Sequence, residues 1–227
     1  MGSMISFNRP DGAAVQGYLA ESAGARGAVV VIQEWWGLND QIRGVADRIA
    51  CAGYTALVPD LYRGKSTIAA EEAHHLMSNL NFGDAASQDV RGAVQHLKAT
   101  HAKVGITGYC MGGALTVLGM TMAPEADAGV VWYGYPPLEF VDASKIKGPL
   151  MAHWAEQDQA FAMSGVDALE QKLREAGVAY QGHRYLAQHG FANETAQGPG
   201  RLPITQYDAA WWQIAWDRSF AFFGKHL

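Results

Sequence analysis

The stretch Gly108-Tyr109-Cys110-Met111-Gly112-Gly113 holds a cysteine between glycines at the spacing G-x-C-x-G. A short apolar run, Val104 to Thr107, comes before it, and an apolar helical pattern, Ala114 to Met120, comes after. Strand, tight turn and helix in that order are the setting of a nucleophile elbow, here with Cys where Ser is usual. Gly108 and Gly112 lack side chains that would crowd the turn. The following helix aims backbone N–H groups and its positive dipole end at the same point, which favours a thiolate and an oxyanion alike. By itself G-x-C-x-G is a weak pattern that a buried cysteine between two structural glycines fits more often, so the choice rests on what lies downstream.

An activated thiol needs a base and a group that orients the base. After an elbow of this kind the acid comes first and the base second. Met151 to Asp158 reads as a buried strand running into a polar loop that carries Asp158. Tyr180 to Leu186 reads as a last strand, and Gln188-His189-Gly190-Phe191 as the loop after it. Both residues then fall at the C-terminal ends of parallel strands, the edge where open α/β sheets bind ligands. His189 would take the thiol proton and Asp158 would fix the imidazole tautomer. Asp142 and Glu156 compete for the acid's role, and His183 and His153 for the base's. His183 falls inside a strand pattern and reads as a strand-face residue. His153 precedes its strand end and reads as a core histidine.

Five segments in this order and spacing resemble the dienelactone hydrolase family of α/β hydrolases. They are Gln33-Glu34-Trp35-Trp36-Gly37-Leu38, Gly53-Tyr54 through Pro59-Asp60-Leu61-Tyr62, the elbow Gly108 to Gly113, Gln157-Asp158, and His189-Gly190-Phe191-Ala192. The resemblance runs from about Ile5 to Phe223. It implies a mostly parallel twisted sheet with helices on both faces. It also implies a Cys110–His189–Asp158 triad, the Glu34 carboxylate beside the thiol, and an oxyanion hole from the backbone N–H groups of Trp35 and Met111. Dienelactone-cleaving members hold the substrate carboxylate with two arginines. One lies shortly after the catalytic histidine, where this chain has Asn193; the other lies in the helix after the Asp-Leu-Tyr loop, near Ala70. Arg63 is the closest basic residue, but it lies in the loop itself. In the family an arginine after the histidine pairs with the carboxylate in a substrate-driven ionisation of the thiol. With Asn193 there, that switch is expected to be altered or absent.

Glu34 ends a buried strand pattern, a poor place for an unpaired charge. It either caps a neighbouring backbone turn or sits directly beside Cys110, where an anion disfavours thiolate. Trp35, Trp36, Tyr133, Tyr135, Trp154 and Phe191 all fall at strand ends on the catalytic edge. Most aromatics are core, so two or three of these are expected to line an acyl pocket, with Asn193 beside them.

Composition fits one soluble α/β enzyme domain over residues 4–227, and Met1-Gly2-Ser3 reads as a cloning scar outside the fold. The net charge of −5 leaves no basic footprint for nucleic acid. No apolar run approaches the roughly 18 residues of a membrane span, and no signal peptide opens the chain, so a cytoplasmic monomer or small homo-oligomer is expected. Cys51 and Cys110 make no disulfide framework, and no Cys/His cluster has zinc-ligand spacing. Cys51, closing an amphipathic helix pattern, reads as a buried structural thiol. No metal or organic cofactor is expected.

The remaining elements alternate strand and helix, as a parallel sheet requires. Ile5–Phe7 and Val15–Leu19 flank Asp11-Gly12, a hairpin signal. Ala28 to Ile32, Ala56 to Val58, Gly129 to Tyr133 and Leu150 to Trp154 read as strands. Asn39 caps a helix with the inward face Ile42, Val45, Ile49. Ala69 to Leu80, Ala85 to Ala99 and Tyr207 to Phe223 read as helices, with Trp211, Trp212 and Trp216 as core or a subunit contact. Ser164 and Asp167 resemble a capping box for a further helix, with Gly177 at its C-cap. The expected activity is cysteine-dependent hydrolysis of small-molecule esters or lactones through a thioester. A broad carboxylesterase or thioesterase acting on neutral acyl groups, and a non-hydrolytic redox-sensing thiol protein with Cys51 as resolving partner, stay open.

Overall fold

The computed structural model describes residues 2–199 and 201–227. Its eight-stranded sheet has the order β1-β2-β4-β3-β5-β6-β7-β8. β1 (Ser3–Asn8) and β2 (Ala14–Ala20) form an antiparallel hairpin whose turn glycine, Gly12, has φ 88°. β2 joins β4 (Thr55–Pro59) antiparallel. From β4 onward every pairing is parallel: β3 (Ala28–Ile32), β5 (Val104–Tyr109), β6 (Ala128–Trp132), β7 (Leu150–Ala155) and β8 (Tyr180–Tyr185). Residues of β3 to β7 are buried without alternation, because helices cover both faces of the sheet. One face packs α4 (Arg91–Lys98) and α5 (Met111–Met122); the other packs α1 (Asp40–Cys51) and α7 (Ala209–His226). This is the α/β-hydrolase architecture expected from the sequence.

α1 begins where Asn39 Oδ1 accepts the Ile42 N–H at 3.2 Å, and it buries Ile42, Val45 and Ile49. α5 is apolar all round and almost wholly buried, so it has no solvent face to mark with polar residues. α2 spans Ala70–Ser78, and α6 spans Met163–Glu175 with Gly177 at φ 71° just beyond it.

Five expectations change. Ser3 is part of β1, paired with Leu19, and the Gly2 N–H reaches the Tyr18 hydroxyl; Met1 lies outside the described residues. The helix over Ala85 to Ala99 starts earlier, at α3 (Phe82–Asp84), and passes through a π-helical turn, Ala85–Val90, before α4. That turn carries Asp89, which is buried against the guanidinium of Arg63 at 2.8 Å. The capping box fails: α6 is preceded by Ala162 with no side-chain cap, and Asp167 instead pairs with Arg184 on β8. The closing helix starts at Ala209, where Asp208 caps the N–H groups of Ala210 and Trp211. Cys51 is exposed rather than buried, because the last turn of α1 carries its inward residue at Ile49 and turns position 51 to solvent.

Candidate active site

Cys110 sits between β5 and α5 with φ 56° and ψ −115°, outside the regions that non-glycine residues favour. Hydrogen bonds on both sides hold it there. Its N–H donates to Trp132 O at 3.0 Å, and its carbonyl accepts from Gly113 N and Ala114 N at 2.9 and 3.2 Å. The two glycines are required by close approach. A Cβ on Gly108 would strike the Gly112 carbonyl, and one on Gly112 would strike the carbonyls of Ile32 and Gln33. The turn therefore packs against the end of β3, which brings Glu34, Trp35 and Cys110 to one cleft. Backbone strain of this kind costs on the order of 1–3 kcal/mol and persists where surroundings over-determine it.

Asp158 leaves the loop after β7 and His189 leaves the loop after β8. His189 Nδ1 lies 2.7 Å from Asp158 Oδ2, and both side chains are buried. An ionised carboxylate only accepts, so Nδ1 carries the proton and Nε2 is left for the sulfur. Asp158 Oδ1 accepts from the N–H groups of Ala160 and Phe161 at 2.7 and 2.9 Å, so one carboxylate fixes both the imidazole and the loop beyond it. The His189 backbone is in turn bridged to Thr205, and its carbonyl accepts from Gln206 N. Burial is the largest single influence on the His189 pKa and pushes it down. The Cys110 sulfur and the Asp158 carboxylate together outweigh burial and hold the pKa well above the ordinary histidine value.

The rivals separate cleanly. Asp142 bonds Ser144 and Lys145 at the surface, and Glu156 is exposed. His153 is fully buried between the Tyr185 and Ser219 hydroxyls at 2.8 and 2.9 Å. Burial, with smaller effects from His183 and Arg218, holds it neutral. His183 stacks on it from β8, with ring centres 5.7 Å apart.

Glu34 is buried, and its carboxylate does not cap a turn. Oε1 accepts from the Tyr133 hydroxyl at 3.2 Å and Oε2 from Asn193 Nδ2 at 2.8 Å. Burial raises its pKa above the usual carboxylate range, against a downward pull from His189, Asn193 and Tyr133. Asn193 is itself fixed, since its Oδ1 accepts from the N–H and hydroxyl of Thr195. Next to it Glu194 pairs with Arg48 at 2.6 Å, tying this loop to α1. Among the described residues, neither Trp35 N–H nor Met111 N–H donates to a backbone carbonyl, which leaves both available to an oxyanion.

The cleft above the thiol has a volume of about 890 Å³. Glu34, Trp35, Trp36, Cys110, His189 and Asn193 line it, as the sequence suggests. Of the six strand-end aromatics, Trp35 and Trp36 line it and four do not. Trp154 is buried with its indole N–H on the Tyr180 hydroxyl, because β7 points it into the sheet face under α6. Phe191 is core, packed on Tyr133 and Tyr185. Tyr133 lies just beyond β6 with φ 35° and gives its hydroxyl to Glu34 from beneath the site. Tyr135 likewise stays off the cleft, its hydroxyl on Ala162 O. The sequence reading missed Phe161, Ile68, Met77, Leu202 and Ile204, which do line it. Phe161 stacks on His189 with ring centres 5.6 Å apart and planes 27° apart. Its position three residues after the candidate acid was the available signal. Arg63 is spent on Asp89 and the Asp60 carbonyl, away from the cleft. Among the described residues no group of three or more His, Cys, Asp or Glu side chains is placed to hold a metal ion, and no helix is long and apolar enough to cross a membrane.

A strained residue between strand and helix, with an Asp–His pair from the loops after β7 and β8, is the arrangement of an α/β hydrolase. The chain belongs to the dienelactone hydrolase family, whose model matches residues 15–227. It is thus a dienelactone hydrolase-like hydrolase acting on ester bonds. Full-length relatives include the protein usf of Aquifex pyrophilus, 33% identical, and a candidate carboxymethylenebutenolidase of Aquifex aeolicus, 31% identical, with 100% of both chains covered in each case. Among solved structures, a dienelactone hydrolase-like promiscuous phosphotriesterase from metagenomic libraries superposes with a TM-score of 0.85 at 23% identity, covering 99% of this chain and 98% of that one.

Proposed function

We propose that this protein hydrolyses small-molecule esters or lactones through a thioester on Cys110, with His189 as base and acid and Asp158 as its orienting carboxylate. The observation that carries the reading is the 2.7 Å His189–Asp158 contact beside a cysteine in a strained elbow. The Cys110 proton passes to His189 Nε2 as sulfur attacks the acyl carbon. The carbonyl π electrons move to oxygen, where the N–H groups of Trp35 and Met111 stabilise the charge. Collapse expels the alkoxide, which takes the proton from His189, and leaves the thioester. Water then attacks that carbon while His189 takes a water proton. Collapse of the second tetrahedral species releases the acid and the sulfur regains its proton. A thiolate is itself a good leaving group, so stabilised alcohols such as enols and phenols are favoured. Apart from the attacking water, each step is assigned to a group of the chain.

Neutral substrates are the second reading, as for a broad carboxylesterase. It is favoured by Asn193 and Ala70 lining the cleft where the family's carboxylate-binding arginines would stand. The redox alternative is disfavoured by placement, because Cys51 does not line the cleft and ends the helix whose start does. Asn39 and Asp40 line the cleft, and Cys51 lies eleven residues along α1 from Asp40, about 17 Å away. In the cell the expected setting is the cytoplasm, as a monomer or small homo-oligomer. Cys110→Ala, assayed with an aryl ester, is expected to lose nearly all turnover with folding intact, and His189→Ala should be about as damaging. Retained turnover in Cys110→Ala would end the thiol mechanism.

A further inference from the structure

The cleft is larger than the reacting centre needs. Ligand pockets run from about 300 to 1,000 Å³, and this one, at about 890 Å³, is near the upper end. Its lining is mixed. Glu34, His189 and Asn193 line it with Cys110, and Trp36, Ile68, Met77, Leu202 and Ile204 give it an apolar wall that polar side chains such as Asp40, Thr67 and Arg201 interrupt. Part of the backbone behind that wall pairs within the loops. Thr67 N–H donates to Trp36 O at 3.0 Å, Gly37 bridges Ser66, and the Leu202 carbonyl accepts from Thr205 N–H and the Thr205 hydroxyl at 2.9 Å each. These contacts hold the segments of Trp36 and Ile68 side by side, and both side chains line the cleft.

Ile68 is 97% exposed. A lone exposed isoleucine needs no explanation, but one that continues an apolar wall into a catalytic cleft does. Its segment is also held in place rather than free. The loop before it carries the Arg63–Asp89 pair, and α2 starts two residues after it. Another concavity, lined by Glu139, Phe140, Asp142, Ser144 and Lys172 among others, holds none of Cys110, Asp158 and His189.

Resting on the esterase reading above, we infer that the substrate is an ester with a medium-length or bulky apolar group, which lies along the Trp36–Ile68–Met77 wall while its carbonyl sits over Cys110. A small lactone would leave that wall wet. A chain of about six to eight carbons would cover Ile68 and remove it from water together with its own methylenes.

The test is a chain-length series. kcat/KM is measured for p-nitrophenyl esters from acetate to octanoate, and for methyl to octyl esters of one fixed acid. Each methylene that is fully buried should raise kcat/KM by about fourfold, and about twofold when half-buried. A rise of that size through at least hexanoate or hexyl in one of the two series is expected. Ile68→Asp, at an exposed position where folding is not at stake, should cut the long-to-short ratio by about tenfold or more. A ratio that is flat or falling in both series, or one that Ile68→Asp leaves unchanged, would overturn the inference. The slope is read in the native enzyme whatever its nucleophile, so this outcome is distinct from failure of the thiol mechanism, which Cys110→Ala reports.

Discussion

Asn193→Ala removes a hydrogen bond whose worth follows from its geometry. The amide donates to a buried carboxylate oxygen at 2.8 Å, and Glu34 would keep only the longer Tyr133 contact at 3.2 Å. A hydrogen bond to a charged group contributes about 1.5–3 kcal/mol. Asn193 also anchors Thr195 through two further bonds of 2.9 and 2.6 Å, each worth about 1 kcal/mol in a neutral pair. These are not additive within one network, and a total loss of about 3 kcal/mol is expected. For a chain of this length 1 kcal/mol moves Tm by about 2–4 °C, so the fall should be about 6–12 °C. Calorimetric unfolding of native enzyme and variant measures it. Asn193→Asp sharpens the test, because it keeps the acceptor for Thr195 but sets a second carboxylate against Glu34. Its deficit should therefore grow as pH rises, while that of Asn193→Ala should grow less. An Asn193→Ala protein within about 0.5 kcal/mol of native stability, the range of an ordinary surface substitution, would refute the idea that this contact holds the carboxylate.

Three further outcomes follow from the same geometry. The Glu34 pKa is raised in the folded protein, so its stabilising share is present below the unfolded glutamate value of about 4.3 and is lost as pH rises through the folded one; Glu34→Gln should gain stability relative to native enzyme between pH 4.5 and pH 7.5, and a constant difference across that range would contradict the assignment. Phe161→Leu loses an aromatic stack on His189 worth about 0.5–1.5 kcal/mol, so kcat should fall by about 2- to 13-fold, with recovery in Phe161→Tyr; equal activity in Phe161→Leu would show that the stack positions nothing. For a matched pair of free acid and methyl ester, native enzyme should prefer the ester by roughly 10- to 100-fold, since no guanidinium stands at position 193. Preference for the acid would point to Arg201, which lines the cleft with Nη1 tied to the backbone carbonyls of Leu202, Pro203 and Thr205.

The sheet was legible because its strands are short apolar runs between turn residues, and parallel pairing buries such runs on both faces. The elbow was legible for a related reason: close packing of Gly108 and Gly112 on neighbouring carbonyls leaves no alternative residue at either place. His189 could be set apart from His153 and His183 because strand ends, and not strand interiors, face the cleft, whereas Glu156 follows β7 as Asp158 does and no such mark separated the two. The walls of the cleft were not legible in the same way. Whether a strand-end aromatic such as Trp154 or Phe191 turns toward the cleft or the core depends on which sheet face each residue meets, and one position of register reverses it. Ile68, Leu202 and Ile204 lie in loops, where no periodicity marks a side chain's direction. The π-turn before α4 left no pattern of its own, since it inserts within a segment that is otherwise helical in composition. Cys51 was misread from its neighbours: the helix stripe of Ile42, Val45 and Ile49 puts position 51 on the opposite side.

The central claim is that Cys110 carries the acyl group, and the most direct measurement is rapid quench at low pH during the first turnover of a p-nitrophenyl ester, followed by proteolysis and mass analysis of both cysteine peptides. Cys51 is exposed and away from the cleft, so it reports non-specific acylation within the same sample. An acyl adduct on Cys110 that forms with the burst of nitrophenolate, and is absent from Cys51 and from the Asp158→Asn and Cys110→Ala proteins at the same time point, is the expected result. A burst with no adduct on Cys110, or an adduct on Cys51 to the same extent, would contradict a thioester on the elbow cysteine.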